Sequence, residues 1–362
     1  MGVERKKYFI TGRNCGLGDM LCNLAATYFF AHRYNGDVVL DWRAVPYNDL
    51  KCVENGTDKY RINLYHSIFK KPNEPIIEND KVRWFYYEEI EDLTDYNNIF
   101  FHLSPSTVAD TNSLSYGNIG KIYLNCSIKQ IDEIVDQHDY IVVTNRIGEH
   151  SDNYKQLQYT VKETPFKEPQ LELFDYIDFF KKIPIADKMR EKINRYNHMF
   201  DMPNIGIHIR HGNGESRGGY TGNWYDYNEI KSKINEILNK LNANTTDYRF
   251  LICTDNKSCS LQLLSTFNDS WETTKNWLED NAGAFHYNSN NPIKSIQEAF
   301  LDMMLLSKCK YGIFTKHSVF NVIPGFIVEN CYYLDKDKIE KVHIDNKWDT
   351  TSIAYEKYNE KN

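Results

Sequence analysis

His208 and Arg210 stand two positions apart at the end of a short apolar run, residues 205–209. A run of that length reads as a buried strand. On a strand, residues two apart share a face, so the imidazole and the guanidinium emerge together. Gly212, Asn213 and Gly214 then break the strand into a loop, Glu215 follows, and glycines at 218, 219 and 222 keep the backbone permissive. A fixed cation at a strand end, next to a glycine loop and a carboxylate, is the makings of an anion site. Arginine suits a phosphate better than lysine because its planar fork holds two oxygens at once. His208 either orients this site or is a satisfied core residue.

Other polar groups fall at equivalent places. RFLICTD, residues 249–255, is a buried strand ending in Asp255, and YGIFT, residues 311–315, leads into Lys316, His317 and Ser318. In an open α/β sheet, ligands bind beyond the carboxyl ends of the strands, so these groups converge on one edge as a nucleotide site. Near the N-terminus, GRNCGLGDM carries Gly16 and Gly18 between a strand and a helix. It lacks the G-x-G-x-x-G dinucleotide fingerprint. It offers either backbone N–H groups at a helix N-terminus, which attract anions, or an ordinary tight turn. The D-x-D of Asp335 and Asp337 lies in a lysine-rich segment and reads as solvated; no metal site is expected.

The string HIRHGNGE, residues 208–215, resembles the H-x-R motif of the α-1,6-fucosyltransferases, and is most similar to the bacterial nodulation (NodZ-type) enzymes. The glycine loop, its helix and the D-W-R that ends the next strand (Gly16, Gly18, Asp19, Asp41, Trp42, Arg43) resemble the opening of that family. FLICTD resembles its second conserved strand. The helix EAFLDMMLLSKC, followed by a strand and His317, Ser318, Val319 and Phe320, resembles its third motif. The resemblance covers the N-terminal loop and residues 171–325.

It implies GDP-fucose as donor, no metal or other cofactor, and transfer with inversion through an oxocarbenium-like transition state. The implied acceptor is a glycan hydroxyl, the 6-hydroxyl of N-acetylglucosamine. Arg210 would hold the β-phosphate, with Gly16, Gly18 and Ser318 donating to the same phosphates and Asp255 on the guanine or ribose side. Glu215 is the leading general base and Asp19 the second; Glu215 is equally suited to pairing with Arg210 or Arg217. Where the animal enzymes have a second arginine, this chain has His211, so a two-arginine clamp is not implied. Two competing functions share the fold: transfer of another nucleotide sugar, and glycan binding without catalysis.

The elements that must position these residues are βα units. Residues 7–45 read as strand, glycine loop, helix from Met20 to Tyr34 with Gly36 as C-cap, and strand. Residues 46–170 complete a first Rossmann-like domain with insertions; Trp84, Tyr86 and Tyr87 read as an amphipathic strand packing its aromatics, or as a sugar-stacking platform. Residues 171–202 are two helices, or one kinked at Pro184. Residues 203–345 alternate strands and helices as a second Rossmann-like domain, with Ser258 the cap of one helix, and 346–362 form a tail. Two such α/β domains facing a cleft, with the acceptor on the first and the GDP-sugar on the second, describe the GT-B architecture.

Composition agrees with this map. The 362 residues are 41% apolar and 26% charged, the range of globular proteins. A net charge of −7 with no basic block argues against nucleic acid or an anionic membrane as partner. No run reaches the ~18 apolar residues of a membrane span, and the N-terminus reads as cytoplasmic rather than secretory. The eight cysteines lack metal-binding spacing and read as buried free thiols.

Overall fold

The structure is a computed structural model. It describes residues 6–12, 16–43, 62–76, 79–90, 101–104, 122–124, 128–143, 179–214, 226–241, 244–283, 291–315, 318–328, 330–334 and 339–343. The chain forms two compact units, Met1–Ile185 with Thr351–Asn362, and Ala186–Thr350.

The first unit holds β1 (Tyr8–Thr11), α1 (Leu17–Arg33), β2 (Asp37–Leu40), β3 (Trp84–Tyr86), β4 (Phe101–Ser104), β5 (Ile122–Leu124), α2 (Ile128–Gln137) and β6 (Tyr140–Val143). Its sheet runs β3-β2-β1-β6-β4-β5, with every pair parallel. Parallel strands covered on both faces read as unbroken apolar runs, as in the fully buried β2.

Helix α1 starts three residues before the expected Met20. Gly16 is its N-cap, and Met20 N donates to Gly16 O at 3.1 Å, closing the first turn. Gly18 and Asp19 therefore belong to the helix rather than to the loop, because Leu17, 2% exposed, is drawn into the core. The C-terminus also differs from expectation. Asn35, at φ 51, takes the left-handed position. Gly36 N donates to Ala31 O at 2.8 Å and Asn35 N to His32 O at 3.4 Å, a Schellman closure. Gly36 is needed for a different reason: a Cβ there would lie 2.7 Å from the Phe9 ring. Trp84 and Tyr87 are buried, Trp84 stacking on Tyr28 at 5.5 Å, so they pack rather than present a platform.

Residues 179–182 are helical, and the chain leaves the helix at 183–186 around Pro184, whose carbonyl accepts from Lys70 N at 2.8 Å. A new helix, α3 (Asp187–Asn194), opens the second unit. There follow β7 (Asn204–Ile209), α4 (Tyr227–Lys240), β8 (Arg249–Thr254), α5 (Lys257–Thr266), β9 (Ser270–Trp271), α6 (Pro292–Leu306), β10 (Tyr311–Thr315), α7 (Val322–Ile327), β11 (Asn330–Leu334) and β12 (Ile339–His343). The sheet order β12-β11-β10-β7-β8-β9, antiparallel only at β11·β12, is the doubly wound order, with its reversal between β7 and β10.

The core of this unit follows from the alternation of β7. Ile205, Ile207 and Ile209 pack with Ile230, Ile234 and Ile237 of α4 and Leu263 of α5. Gly206, on the opposite face, lets α6 approach: a Cβ there would meet Leu306 Cδ2 at 2.9 Å and Cys309 Sγ at 3.0 Å. Helix α5 is capped by Asn256, whose side chain accepts from Cys259 N, and not by Ser258. Asparagine caps as well as serine, and it stands one position before the first helical residue. Among the described residues, Cys22, Cys253, Cys259, Cys309 and Cys331 are free and buried, and no helix is long and apolar enough to cross a membrane.

Candidate functional site

Strands β7 and β10 pair side by side, yet their following helices depart to opposite sides, which opens a crevice at their carboxyl ends. Arg210 follows β7 by one residue and Thr315 ends β10. The two are tied across the crevice: Arg210 N donates to Thr315 Oγ1 at 2.9 Å, and Thr315 Oγ1 donates to His208 O at 3.2 Å.

Asp255, one residue past β8, is the hub. Its register comes from the pairing of Ile209 with Thr254, which sets Arg210 and Asp255 abreast. The Asp255 carboxylate accepts from His211 N at 2.8 Å and from Gly212 N at 3.2 Å, and it forms an ion pair with Arg210 Nη1. The side chains are 26% and 14% exposed, so the pair is half-withdrawn from water. A carboxylate accepting two backbone N–H groups cannot rotate freely, and it fixes the edge of the guanidinium it engages.

The loop beyond is equally constrained. Asn213, 1% exposed, donates from Nδ2 to Glu279 O and Gly283 O, both at 3.1 Å. Its Oδ1 accepts from Asn281 N at 3.0 Å and from Asn256 Nδ2 at 3.2 Å. Gly212 and Gly214 have φ of 85° and 82°, and a Cβ on Gly214 would lie 2.9 Å from the Asn281 backbone. The glycines of this motif thus serve its turn and its docking against residues 279–283.

His208 is 5% exposed, with its ring stacked on Phe320 at 4.7 Å between centroids. Phe320 lies in the short turn Val319–Asn321, where Asn321 N donates to Ser318 O at 3.0 Å and Asn321 Nδ2 to Thr315 O at 2.8 Å. Burial pushes the His208 pKa down from 6.5 to about 3, and the nearby cations Arg210 and Lys275 push the same way. The ring is therefore neutral in the fold. Between those two values the unfolded chain binds a proton that the folded chain refuses, so stability rises with pH through that window. The slope reaches about 1.4 kcal/mol per pH unit at most. Hydrogen exchange of the β7 amides should show an opening free energy that falls from pH 7 to pH 5 in the native protein and falls less in His208→Gln. Equal slopes in the two proteins would contradict a buried neutral His208.

Two further buried charges lie behind this strand. Lys275 Nζ is 2.6 Å from Asp302 Oδ2, with side chains 6% and 8% exposed, and Thr273 Oγ1 donates to Asp302 Oδ1 at 2.6 Å. For Lys275, burial is the largest single influence and acts to lower the pKa, but Asp302 and Cys253 together with Glu272 outweigh it, so the net shift is upward and the ammonium persists. No local motif marks either residue in the sequence. The signal lies in α6, where Glu298 and Asp302 stand four apart, both buried on the helix's packed side.

Of the residues expected from the sequence, the fold brings together His208, Arg210, Asp255, Ser318, Val319 and Phe320 in the second unit. Gly16, Gly18 and Asp19 belong to the first, as do Asp41, Trp42 and Arg43. There the Asp41 carboxylate grips Arg43 at 2.9 and 3.0 Å, and the Arg43 guanidinium lies 3.3 Å from the Tyr87 ring centroid. Glu215, Arg217, His317, Asp335 and Asp337 lie outside the described residues. Among the described residues, no group of three His, Cys, Asp or Glu is placed to hold a metal ion.

Comparison with known proteins agrees with this architecture. The family model of nodulation protein Z (NodZ) matches residues 174–352. Nodulation protein Z of Azorhizobium caulinodans is 26% identical over 165 residues, 44% of this chain and about half (49%) of that protein. The Sinorhizobium fredii protein is 23% identical over 312 residues, 84% of this chain and 85% of its own. The crystal structure of fucosyltransferase NodZ from Bradyrhizobium superposes with a TM-score of 0.58 at 17% identity, covering 94% of this chain and 99% of that one. A mutant of Arabidopsis thaliana FUT1 in complex with GDP gives a TM-score of 0.53 at 10% identity, covering 95% and 75%. The fold these share is GT-B. Over residues 174–352 the sequence is similar to the NodZ family, and the fold is similar to that of the NodZ crystal structures.

Proposed function

We propose that this chain transfers fucose from GDP-fucose to a glycan hydroxyl, at the 6-position of N-acetylglucosamine, with inversion and without a metal. One observation carries the reading: the Arg210 guanidinium stands at the reversal point of a doubly wound sheet, held there by Asp255. NodZ structures co-crystallised with GDP and soaked with GDP-fucose support the choice of nucleotide.

The chemistry fits the charge. As the bond from the sugar C1 to the phosphate oxygen breaks, negative charge gathers on the leaving GDP. A guanidinium has five N–H donors, so it can keep Asp255 and still take two phosphate oxygens. Because Asp255 already holds it in place, little reorganisation remains to be done in the transition state. The new bond forms from the acceptor oxygen to the opposite face of C1, and the acceptor proton passes to a carboxylate. Glu215 leads for that role because its loop starts from the anchored segment 211–214; Asp19 is second. His208, His317, Ser318, Val319 and Phe320 complete the donor side, with His208 acting through its neutral, stacked ring.

The test is thermal stabilisation by nucleotides, followed by GDP release over a panel of glycans with and without EDTA. GDP and GDP-fucose should raise the melting temperature where UDP and dTDP sugars do not, and turnover should survive EDTA. Preference for UDP would overturn the choice of donor; loss of turnover that added metal restores would overturn the metal-free step.

A further inference from the structure

A cavity of about 480 Å³ opens within the second unit, between the loop after β7, the first turns of α4 and α5, and residues 280–281. Its volume is in the usual range for small-molecule sites, roughly 300–1,000 Å³. His211 and Asn256 line it and are 7% and 3% exposed; Asp226, Gln262, Asp280 and Asn281 also line it. Among the described residues, no lysine or arginine does.

The tautomer of His211 follows from its neighbour. Nδ1 lies 3.1 Å from Gly212 O. A carbonyl only accepts, so Nδ1 carries the proton and, in the neutral ring, Nε2 is an acceptor. Among the described residues Nε2 has no hydrogen-bond partner, although the residue is more than nine-tenths buried. The carboxylates add acceptors. Asp226 uses Oδ1 to cap α4, at 2.8 Å from Asn228 N, and Asp280 uses Oδ2 to accept from Ser258 Oγ. Each keeps a second oxygen.

The described lining is rich in acceptors and holds no cationic side chain, a surface that disfavours a phosphate. The carboxylates stand at the N-terminal turns of α4 and α5, whose positive dipole ends offset their charge, so a bare cation is poorly matched too. What remains is a neutral ligand carrying several hydroxyl donors. We propose that this cavity is a subsite for one neutral sugar residue, held by hydroxyl donation to His211 Nε2, Asp226 and Asp280 and by the amides of Gln262 and Asn281. The inference rests on the transferase reading in one respect: it makes that sugar part of the acceptor glycan, held on the second unit in departure from the expectation that the acceptor lies on the first domain alone. His211 and Arg210 share Asp255, so the subsite adjoins the proposed phosphate anchor.

The experiment measures Kd for an N-acetylglucosamine oligomer and, separately, for GDP, on the native chain, Gln262→Ala and Asp280→Ala. Both substituted side chains are exposed at the rim, and neither belongs to the donor site. Gln262→Ala should weaken oligomer binding about fivefold, the worth of one neutral hydrogen bond, and Asp280→Ala about tenfold or more because its bond is to a charged group, while GDP affinity stays the same. Oligomer affinity equal in all three proteins, displacement of the oligomer by spermidine, or a parallel loss of GDP affinity would each overturn the subsite. If the native chain binds the oligomer in this variant-sensitive way but does not bind GDP, the subsite stands and the GDP-fucose reading fails.

Discussion

Arg210→Ala should lower the rate of the proposed fucose transfer by about 10²- to 10³-fold, the usual cost of removing one preorganised donor from a developing charge, and Arg210→Lys should fall nearly as far. The second half of that expectation discriminates. Lysine keeps the positive charge but presents a point ammonium on a flexible stem, so it cannot hold Asp255 with one edge and two phosphate oxygens with another. A role as a simple counter-charge would let lysine recover most of the rate. The loss should fall mainly on kcat, because the charge on the leaving diphosphate is larger in the transition state than in bound GDP-fucose. Steady-state GDP release on the three proteins decides it. Asp255→Asn should give an intermediate loss: the neutral amide still accepts from His211 N and Gly212 N, but it no longer pairs with the guanidinium.

Lys275→Met destabilises the second unit by about 3–5 kcal/mol, because it strands a carboxylate in the interior. Asp302 keeps the Thr273 hydroxyl, which does not replace an ammonium at 2.6 Å. Replacing both partners, Lys275→Met with Asp302→Leu, should restore most of the loss, since an apolar pair of similar volume carries no desolvation cost. Denaturant midpoints of the single and double variants measure this; a double variant as unstable as the single would mean that packing around Lys275, not its charge, holds the segment.

Much of the second unit is readable from its sequence because its strands are buried on both faces. RFLICT and YGIFT announce themselves as unbroken apolar runs between amphipathic helices, and the polar residue after each run is where a parallel sheet exposes chemistry. Arg210 and Asp255 were legible on that ground. Their mutual engagement was not, since it depends on the Ile209–Thr254 register, which no local pattern encodes. The place of β6 between β1 and β4 is likewise non-local, and β4 and β5 are too short to show a period.

Smaller misreadings have local causes. Gly18 looked like a loop residue because glycine disfavours helices, but the apolar pull on Leu17 starts α1 earlier. Ser258 looked like a cap, yet Asn256 is equally good at capping and stands in the right place. Asp302 and Lys275 were missed because the lysine lies outside regular structure and meets its partner only through tertiary packing.

The most direct test of the central claim is a crystal structure with GDP bound. It should show β-phosphate oxygens hydrogen-bonded to the Arg210 guanidinium while Asp255 still holds its other edge, at the carboxyl ends of β7 and β10. A nucleotide bound elsewhere, or an Arg210 side chain turned away from it, would contradict the account.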